Sequence, residues 1–383
     1  MLLTALKMLI GDRTKYAALV VGIAFASLLI TQQASIFNGY ARQTGSWIRD
    51  NANVDLWVMD RQVEFTIDLK PMIETQLGRV RGVEGVAWAV PVYMNFFNAI
   101  FPDGTQRNVR VIGLDDATLI GAPPVMVEGQ LSDLRQDKAV LMNADLADGP
   151  LMLKRDPAGP RPMRVGDRLS LNDKEVVVVG SYRATKEFFW EPIFYTTYSR
   201  AKFLRSDQRR SLNYIMVGLK PGADPTLVRQ RIEHLRGIKA LTSEEFETVT
   251  RDWILRETGI LINFGITIAL GVVIGLLVAG QTFYTFVLDN LKHFGSLKAM
   301  GMSNARAVGM LTIQTLVVSA MGYGIGVGSA ALSGQLLSGS GLAFEMSWSI
   351  PLLAGAGVVC CCLLAGLLGM IRVIRLEPAI VFK

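Results

Sequence analysis

The sequence predicts a membrane protein with four transmembrane α-helices, one plus three, and a large α+β extracytoplasmic domain between the first and second helices, carried on a helical stalk. Three observations predict it: four apolar segments each long enough to cross a bilayer, charge concentrated between about residues 42 and 257, and basic residues gathered beside the apolar segments. Half of the 383 residues are hydrophobic, too many for an ordinary soluble domain, while the charged stretch is too long for a chain that is all membrane.

Residues 1–15 read as a cytoplasmic, amphipathic N-terminal segment, and residues 16–38 as the first transmembrane helix. A basic leader before an apolar core also fits a cleavable signal peptide. The run continues through Gln32 and Gln33 to Phe37, and no small-residue cleavage site closes it, so a retained anchor is expected.

Residues 39–257 form the extracytoplasmic, periplasmic domain. Short apolar runs between turn residues predict strands at VDLWVMD, VAWAVPVYMNFFNAI, RNVRVIGLD, KAVLMN, RLSL, KEVVVVGSY and NYIMVGL. PMIETQLGRV and DPTLVRQRIEHL predict helices, the second opening with Asp224 as N-cap and Pro225 in the first turn. The Pro- and Gly-rich DGPLMLKRDPAGPRPMRVGD interrupts the strands, and two subdomains are expected, the middle one inserted into the other. At the ends, YARQTGSWIRD continues the first span, and SEEFETVTRDWILRETG leads into the second with Phe246, Val249, Trp253 and Ile254 on one helical face. Pairing of these two ends would make the stalk.

Residues 258–288 are the second span, 307–337 the third and 347–371 the fourth. The 338–346 connection has no Lys or Arg, as expected of a short outside loop. Lys7, Arg13 and Lys15, then Lys292, Lys298 and Arg306, then Arg372, Arg375 and Lys383 put the other three flanks, including the 372–383 tail, in the cytoplasm. The expected location is a bacterial inner membrane, multi-pass, with both termini cytoplasmic. Gly271 and Gly275, Gly322 and Gly326, and Gly324 and Gly328 recur at the spacing that lets helix backbones approach closely in lipid.

Several chemistries have no motif. There is no GxxxxGK followed by Ser or Thr, no HExxH, no CxxC and no GxSxG; the two histidines, His234 and His293, fall on opposite sides of the membrane. Cys360, Cys361 and Cys362 are consecutive in an apolar run and read as packing residues. Ser199 and Lys202 have the spacing of a Ser-Lys hydrolase pair, which chance also supplies. The net charge of +6 forms no basic stripe, so no nucleic-acid partner is expected. Neither a catalytic site nor a cofactor or metal site is expected in this chain, and energy for any work must come from a partner.

The most specific segment is DNLKHFGSLKAMGMSNAR, residues 289–306. It reads as a short surface helix capped by Asp289 and Asn290, broken at Gly301, with Phe294 and a leucine exposed for another protein's groove or for the headgroup layer. Here the chain resembles the FtsX-like permease family, which includes MacB, the lipoprotein-release permeases and the DevC-type permeases. The family's loop runs roughly E-x-G-x-L-K/R-A-x-G, matched by Gly295, Leu297, Lys298, Ala299 and Gly301, with His293 where many members have Glu. The closing RVIRLEPAIVFK is similar to the family's R-x-x-P-A segment through Arg375, Pro378 and Ala379, and GIAFASLLITQQASIFNGY with VDLWVMD most resembles the DevC branch.

The resemblance implies a permease of an ABC exporter, a homodimer on two separate cytoplasmic ATPase subunits that bind the ATP and Mg. The helix carrying Leu291, Phe294, Gly295, Leu297, Lys298, Ala299 and Gly301 would dock on the ATPase. It further implies a periplasmic membrane-fusion adaptor and an outer-membrane channel as partners, membrane lipid around the helices, and a lipid, lipoprotein or other amphiphilic substrate. The alternatives are an FtsX-like signalling subunit that activates an extracytoplasmic enzyme without transport, and a receptor unrelated to ABC systems.

Overall fold

The structure, a computed structural model, describes residues 8, 11, 13–188, 192–205, 211–337 and 342–374. Arg375, Pro378 and Ala379, and most of the 1–15 segment, lie outside these. The chain divides into two compact units, Met1–Ala41 with Thr258–Lys383, and Arg42–Glu257.

Four helices are long and apolar enough to cross a membrane, one before the large domain and three after it. In chain order the elements are α1 (Arg13–Gln43), α2 (Ser46–Asp50), β1 (Leu56–Asp60), β2 (Met72–Ile73), α3 (Thr75–Arg81), β3 (Val86–Ile100), β4 (Gln106–Leu114), β5 (Val125–Glu128), β6 (Ala139–Asn143), β7 (Arg168–Leu171), β8 (Lys174–Arg183) and β9 (Ile193–Thr197). They continue as α4 (Tyr198–Leu204), β10 (Ser211–Leu212), β11 (Tyr214–Leu219), α5 (Pro225–Glu233), β12 (Ile238–Thr242), α6 (Ser243–Glu257), α7 (Ile260–Asp289), α8 (Leu291–Ala299), α9 (Asn304–Leu337) and α10 (Ser349–Ile374).

In the large unit one mixed sheet runs β12-β1-β11-β3-β4-β9-β6-β8-β5, with β7 against β3 and β8. Among the described residues, β4 with β9 and β6 with β8 pair in parallel and the other strand pairs are antiparallel. The 15-residue β3 holds the sheet together: its first half pairs with β11, its second with β4 and β7. The middle of the chain is therefore inserted between β3 and β11, as the sequence led us to expect, and its strands join those of the outer part through β3.

Period-2 alternation sends neighbouring residues to opposite faces. Leu56 and Val58 join Val80, Ala201, Leu204, Val228 and Ile232 under α3, α4 and α5. Trp57 and Met59 join Trp47, Ile48 and Phe246 of α2 and α6 on the other face. Asp224 caps α5 by accepting from Thr226 N at 2.8 Å, ahead of Pro225. The Pro- and Gly-rich segment is pinned rather than free: Leu151, Leu153 and Met163 enter the core, and Arg161 forks onto Asp167 at 2.8 and 2.9 Å and reaches Asp156 at 2.8 Å.

In the membrane unit, small residues set the packing of α1. A Cβ at Gly275 would lie 2.8 Å from the Ala26 Cβ, and one at Gly326 would lie 2.5 Å from the Ala24 carbonyl oxygen. Gly322 meets Ile23 in the same way. Gly324 and Gly328 depart from the expectation, having nothing within 4 Å, because they point away from α1 on the other side of α9. Cys362 is buried in the bundle core, and Cys360 is exposed.

Candidate functional site

Two places, one in each unit, gather the residues that the sequence singles out. The first is α8, the nine-residue helix between α7 and α9. Gly301, at φ +93°, closes it in the left-handed conformation that only glycine adopts without strain. Asn290 occupies the N-cap position of α8, as the sequence reading expected, but its side chain makes no capping hydrogen bond, and Asp289 is the last residue of α7. Asp289 pairs with Lys15 of α1, and the Asn290 side chain donates 2.9 Å back to the Phe286 carbonyl, finishing α7 instead.

The orientation of α8 also departs from expectation. Phe294 is 0% exposed and packs in the bundle core with Leu19, Phe283, Phe286, Val287 and Leu311. It cannot also be the exposed aromatic that enters a partner's groove. Gly295 is buried beside it, and Leu291, Leu297 and Lys298 are half-buried. The outward face is Lys292, His293, Ser296, Ala299 and Met300, with Met300 76% exposed. A helical face two turns long therefore holds α8 to its own bundle, and the opposite face is free to meet something else. Lys298 reaches sideways: its Nζ donates to the Val373 and Ile374 carbonyls at 2.7 and 3.1 Å, at the end of α10.

The second place is the base of the large domain, where the chain enters from α1 and leaves toward α7. Here α2 and α6 come together, as the stalk reading expected, but α6 lies on the sheet instead of standing clear. Phe246, Thr250 and Ile254 form its buried face. Val249 is exposed, and Trp253 stacks on Phe65 with centroids 3.8 Å apart while donating to Glu64 at 3.0 Å. Trp47 of α2 meets Trp57 of β1 at 4.9 Å and Tyr214 of β11 at 5.8 Å; Tyr214 meets Phe246 of α6 at 5.7 Å. Such a cluster joins both chain ends to the sheet with contacts that are directional as well as apolar. Arg49 pairs with Glu247 across the two helices, and a Cβ at Gly45 would sit 2.3 Å from the Glu247 Cγ, so the helices touch closely. Gly259, at φ +68°, then separates α6 from α7.

The segment after β8 ties into this base at three points. Asp50 accepts from Thr185 N at 2.9 Å and Thr185 Oγ1 at 2.7 Å, Phe188 N donates to the Gln43 carbonyl at 3.2 Å, and Glu187 pairs with Arg110. Arg110 is 1% exposed, in the middle of the sheet on β4. Burial, and next the Glu187 carboxylate, push the Tyr195 hydroxyl far above its ordinary range; Tyr182 beside it is raised by burial first and then by Tyr195 and Glu187. Both tyrosines stay neutral, so Glu187 is left as the counter-charge for the buried guanidinium. No sequence signal links these two residues.

Ser199 and Lys202 form no hydrolase pair. The Ser199 hydroxyl donates to Asp116 at 2.6 Å, while Lys202 pairs with Glu74 and lies over the Tyr198 ring. A nucleophilic serine needs a base, and the lysine is engaged elsewhere.

Residues 17–235 match the family model described as the MacB-like periplasmic core domain, and residues 265–378 match the FtsX-like permease C-terminal. No curated protein matches the chain. The extracellular domain of the noncanonic ABC-type transporter YknZ from Gram-positive bacteria is similar at 14% identity over 49% of this chain and 99% of that one, with a TM-score of 0.36. The periplasmic region of MacB from Actinobacillus actinomycetemcomitans is similar at 11% identity over 52% and 94%, with a TM-score of 0.38. A domain of a putative permease from Porphyromonas gingivalis is similar at 14% identity over 50% and 89%, with a TM-score of 0.34.

Proposed function

This chain belongs to the MacB- and FtsX-like family of ABC transporter permeases, and we propose that it is the permease subunit of an exporter that takes ATP-driven movement from a separate ATPase and passes it to the periplasmic domain. The observation that carries this reading is the two-sided α8, held to the bundle by Phe294 and Gly295 and turning Lys292, His293, Ser296, Ala299 and Met300 outward. Lys292, Lys298 and Arg306 in this connection favour the cytoplasm for it. Both termini would then be cytoplasmic and residues 39–257 outside.

On this reading the motif residues divide their work. Leu291, Phe294, Gly295, Leu297 and Gly301 hold and end the helix; Ala299 and Met300 meet the ATPase, which binds the ATP and Mg. The paired α2 and α6, locked by the aromatic cluster, carry movement of the spans into the sheet. A homodimer, a periplasmic adaptor, an outer-membrane channel and an amphiphilic substrate complete the machine.

The test is co-purification with a cytoplasmic ABC ATPase expressed together with this chain. Met300→Asp is expected to weaken ATPase binding roughly 30-fold or more, because losing a central apolar contact at an interface costs about 2 to 4 kcal/mol. The permease alone is expected to hydrolyse no ATP. Undiminished ATPase binding by Met300→Asp together with Ala299→Asp would remove the docking role from this face.

A further inference from the structure

The large unit carries a cleft of about 550 Å³ between the start of β6, the start of β8 and the helix α4. That volume suits one small organic molecule. Its walls are set by unusual backbone. The turn between β7 and β8 has Asn172 and Asp173 at φ +46° and +64°, the mirror-image turn that fits the twist of a hairpin. Asn172 is tied to Asn98 of β3 in both directions, its amide donating at 3.0 Å and its side-chain oxygen accepting at 3.1 Å. Lys174, directly after this turn, is therefore fixed in place. Lys138 sits at φ +58°, a region that a residue with a Cβ enters at a cost, and its carbonyl accepts from the Val177 amide at 2.7 Å. The strained residue brings a second ammonium to the cleft.

The third wall is α4, which supplies Arg200 and Phe203. Phe203 is 60% exposed, whereas Leu204 beside it is buried. The Lys174 ammonium lies 4.0 Å from the centroid of the Phe203 ring and donates to the Phe203 carbonyl. An open aromatic ring and positive charge thus lie within the length of one small molecule. Glu175 accepts from Lys138 at 2.7 Å and from Arg168 at 3.2 Å, and Asp137 accepts from Arg200 at 3.1 Å. Among the described residues here, four cations, Lys138, Arg168, Lys174 and Arg200, meet two carboxylates. The Lys138 and Asp137 side chains are 47% and 83% exposed, and pairs this open contribute little, so an entering anion displaces them at small cost.

We propose that this cleft binds a small organic anion, an oxyacid group joined to a compact apolar body, with Lys138, Lys174 and Arg200 taking the acid and Phe203 with Leu204 taking the body. A neutral molecule of the same shape leaves the excess positive charge unmet. The site lies within the large unit and its test needs no ATPase, so it stands apart from the reading of α8.

The experiment uses the full-length chain in lipid nanodiscs, irradiated with benzophenone-4-carboxylate over a concentration series, the labelled peptides being identified by mass spectrometry. Labelling is expected to saturate, with adducts on residues 197–204. Benzophenone-4-carboxamide is expected to need a concentration roughly tenfold or more higher, the loss of a hydrogen bond to a charged group. Lys138→Gln with Lys174→Gln is expected to raise the half-saturating concentration of the carboxylate by a similar factor, and Lys138→Arg with Lys174→Arg to leave it close to wild type. Phenyl phosphate is expected to compete with the label, and inorganic phosphate alone to compete roughly tenfold less, having nothing to lay on Phe203. Adducts outside the cleft, equal labelling by carboxylate and carboxamide, or an unchanged half-saturating concentration in the Gln pair would overturn the proposal. So would equal competition by inorganic phosphate, which would make the cleft a site for the bare anion. The comparison of carboxylate with carboxamide is made on the unaltered chain, so it decides the matter even where the Gln pair does not fold.

Discussion

Replacing Glu187 by alanine is expected to cost the large domain about 3 to 5 kcal/mol, because it strands the Arg110 guanidinium in the middle of the sheet without a counter-charge. The neighbouring Tyr182 and Tyr195 are held neutral by burial and cannot substitute. The measurement is urea unfolding of the full-length protein in detergent, followed by tryptophan fluorescence. Five of the six tryptophans, at positions 47, 57, 88, 190 and 253, fall in this domain. The paired replacement Arg110→Met with Glu187→Leu is expected to recover most of the loss, since a buried ion pair is worth little more than apolar groups of similar volume. A Glu187→Ala chain as stable as the wild type would show that Arg110 is neutralised by something other than this carboxylate.

Phe294→Ala is expected to have the second large effect, and on a different observable. Removing a fully buried phenylalanine from a packed core costs about 3 to 5 kcal/mol. Here the loss falls on the anchoring of α8 to the bundle, so the amides of residues 291–299 are expected to exchange with solvent faster by about two to three orders of magnitude. Ser296→Ala, on the outward face, is expected to leave exchange unchanged. Equal exchange in Phe294→Ala and wild type would mean that the helix is held by its charged ends alone.

Much of the architecture was legible because its physics is local. The four spans are long apolar runs, and β3, β4, β8 and β11 are runs of β-branched and aromatic residues whose pattern does not depend on where their partners lie. The elements that went unread are short or masked by their neighbours. VMVE follows two prolines, IFYTT follows another, and IKALT is five residues squeezed between two helices; YSRAKFL is a two-turn helix directly after a strand. How the inserted part joins the outer one was not legible, because nothing in β3 itself announces that one half pairs with β11 and the other with β4 and β7.

The candidate site was half legible for a related reason. Periodicity shows that Phe294 and Leu297 share the apolar side of a helix, but the same stripe serves a partner's groove and the chain's own bundle equally well. Only the tertiary packing decides, and it turns Phe294 inward and Met300 outward. Nothing local in RNVRVIGL marks Arg110 as a buried charge; its counter-ion is 77 residues away in sequence. Lys298 likewise finds its acceptors 75 and 76 residues on.

The central claim, that the outward face of α8 receives an ABC ATPase, is tested most directly by cross-linking from Met300→Cys in a chain whose three native cysteines are replaced by alanine. Membranes containing this chain and the co-expressed ABC ATPase are treated with a short thiol-to-amine reagent, with and without ATP. The account predicts one cross-linked product of permease plus ATPase from position 300, modulated by ATP, and none from a cysteine at the buried position 294. A product from neither position, with the ATPase still co-purifying, would contradict the claim and move the contact to another part of the chain.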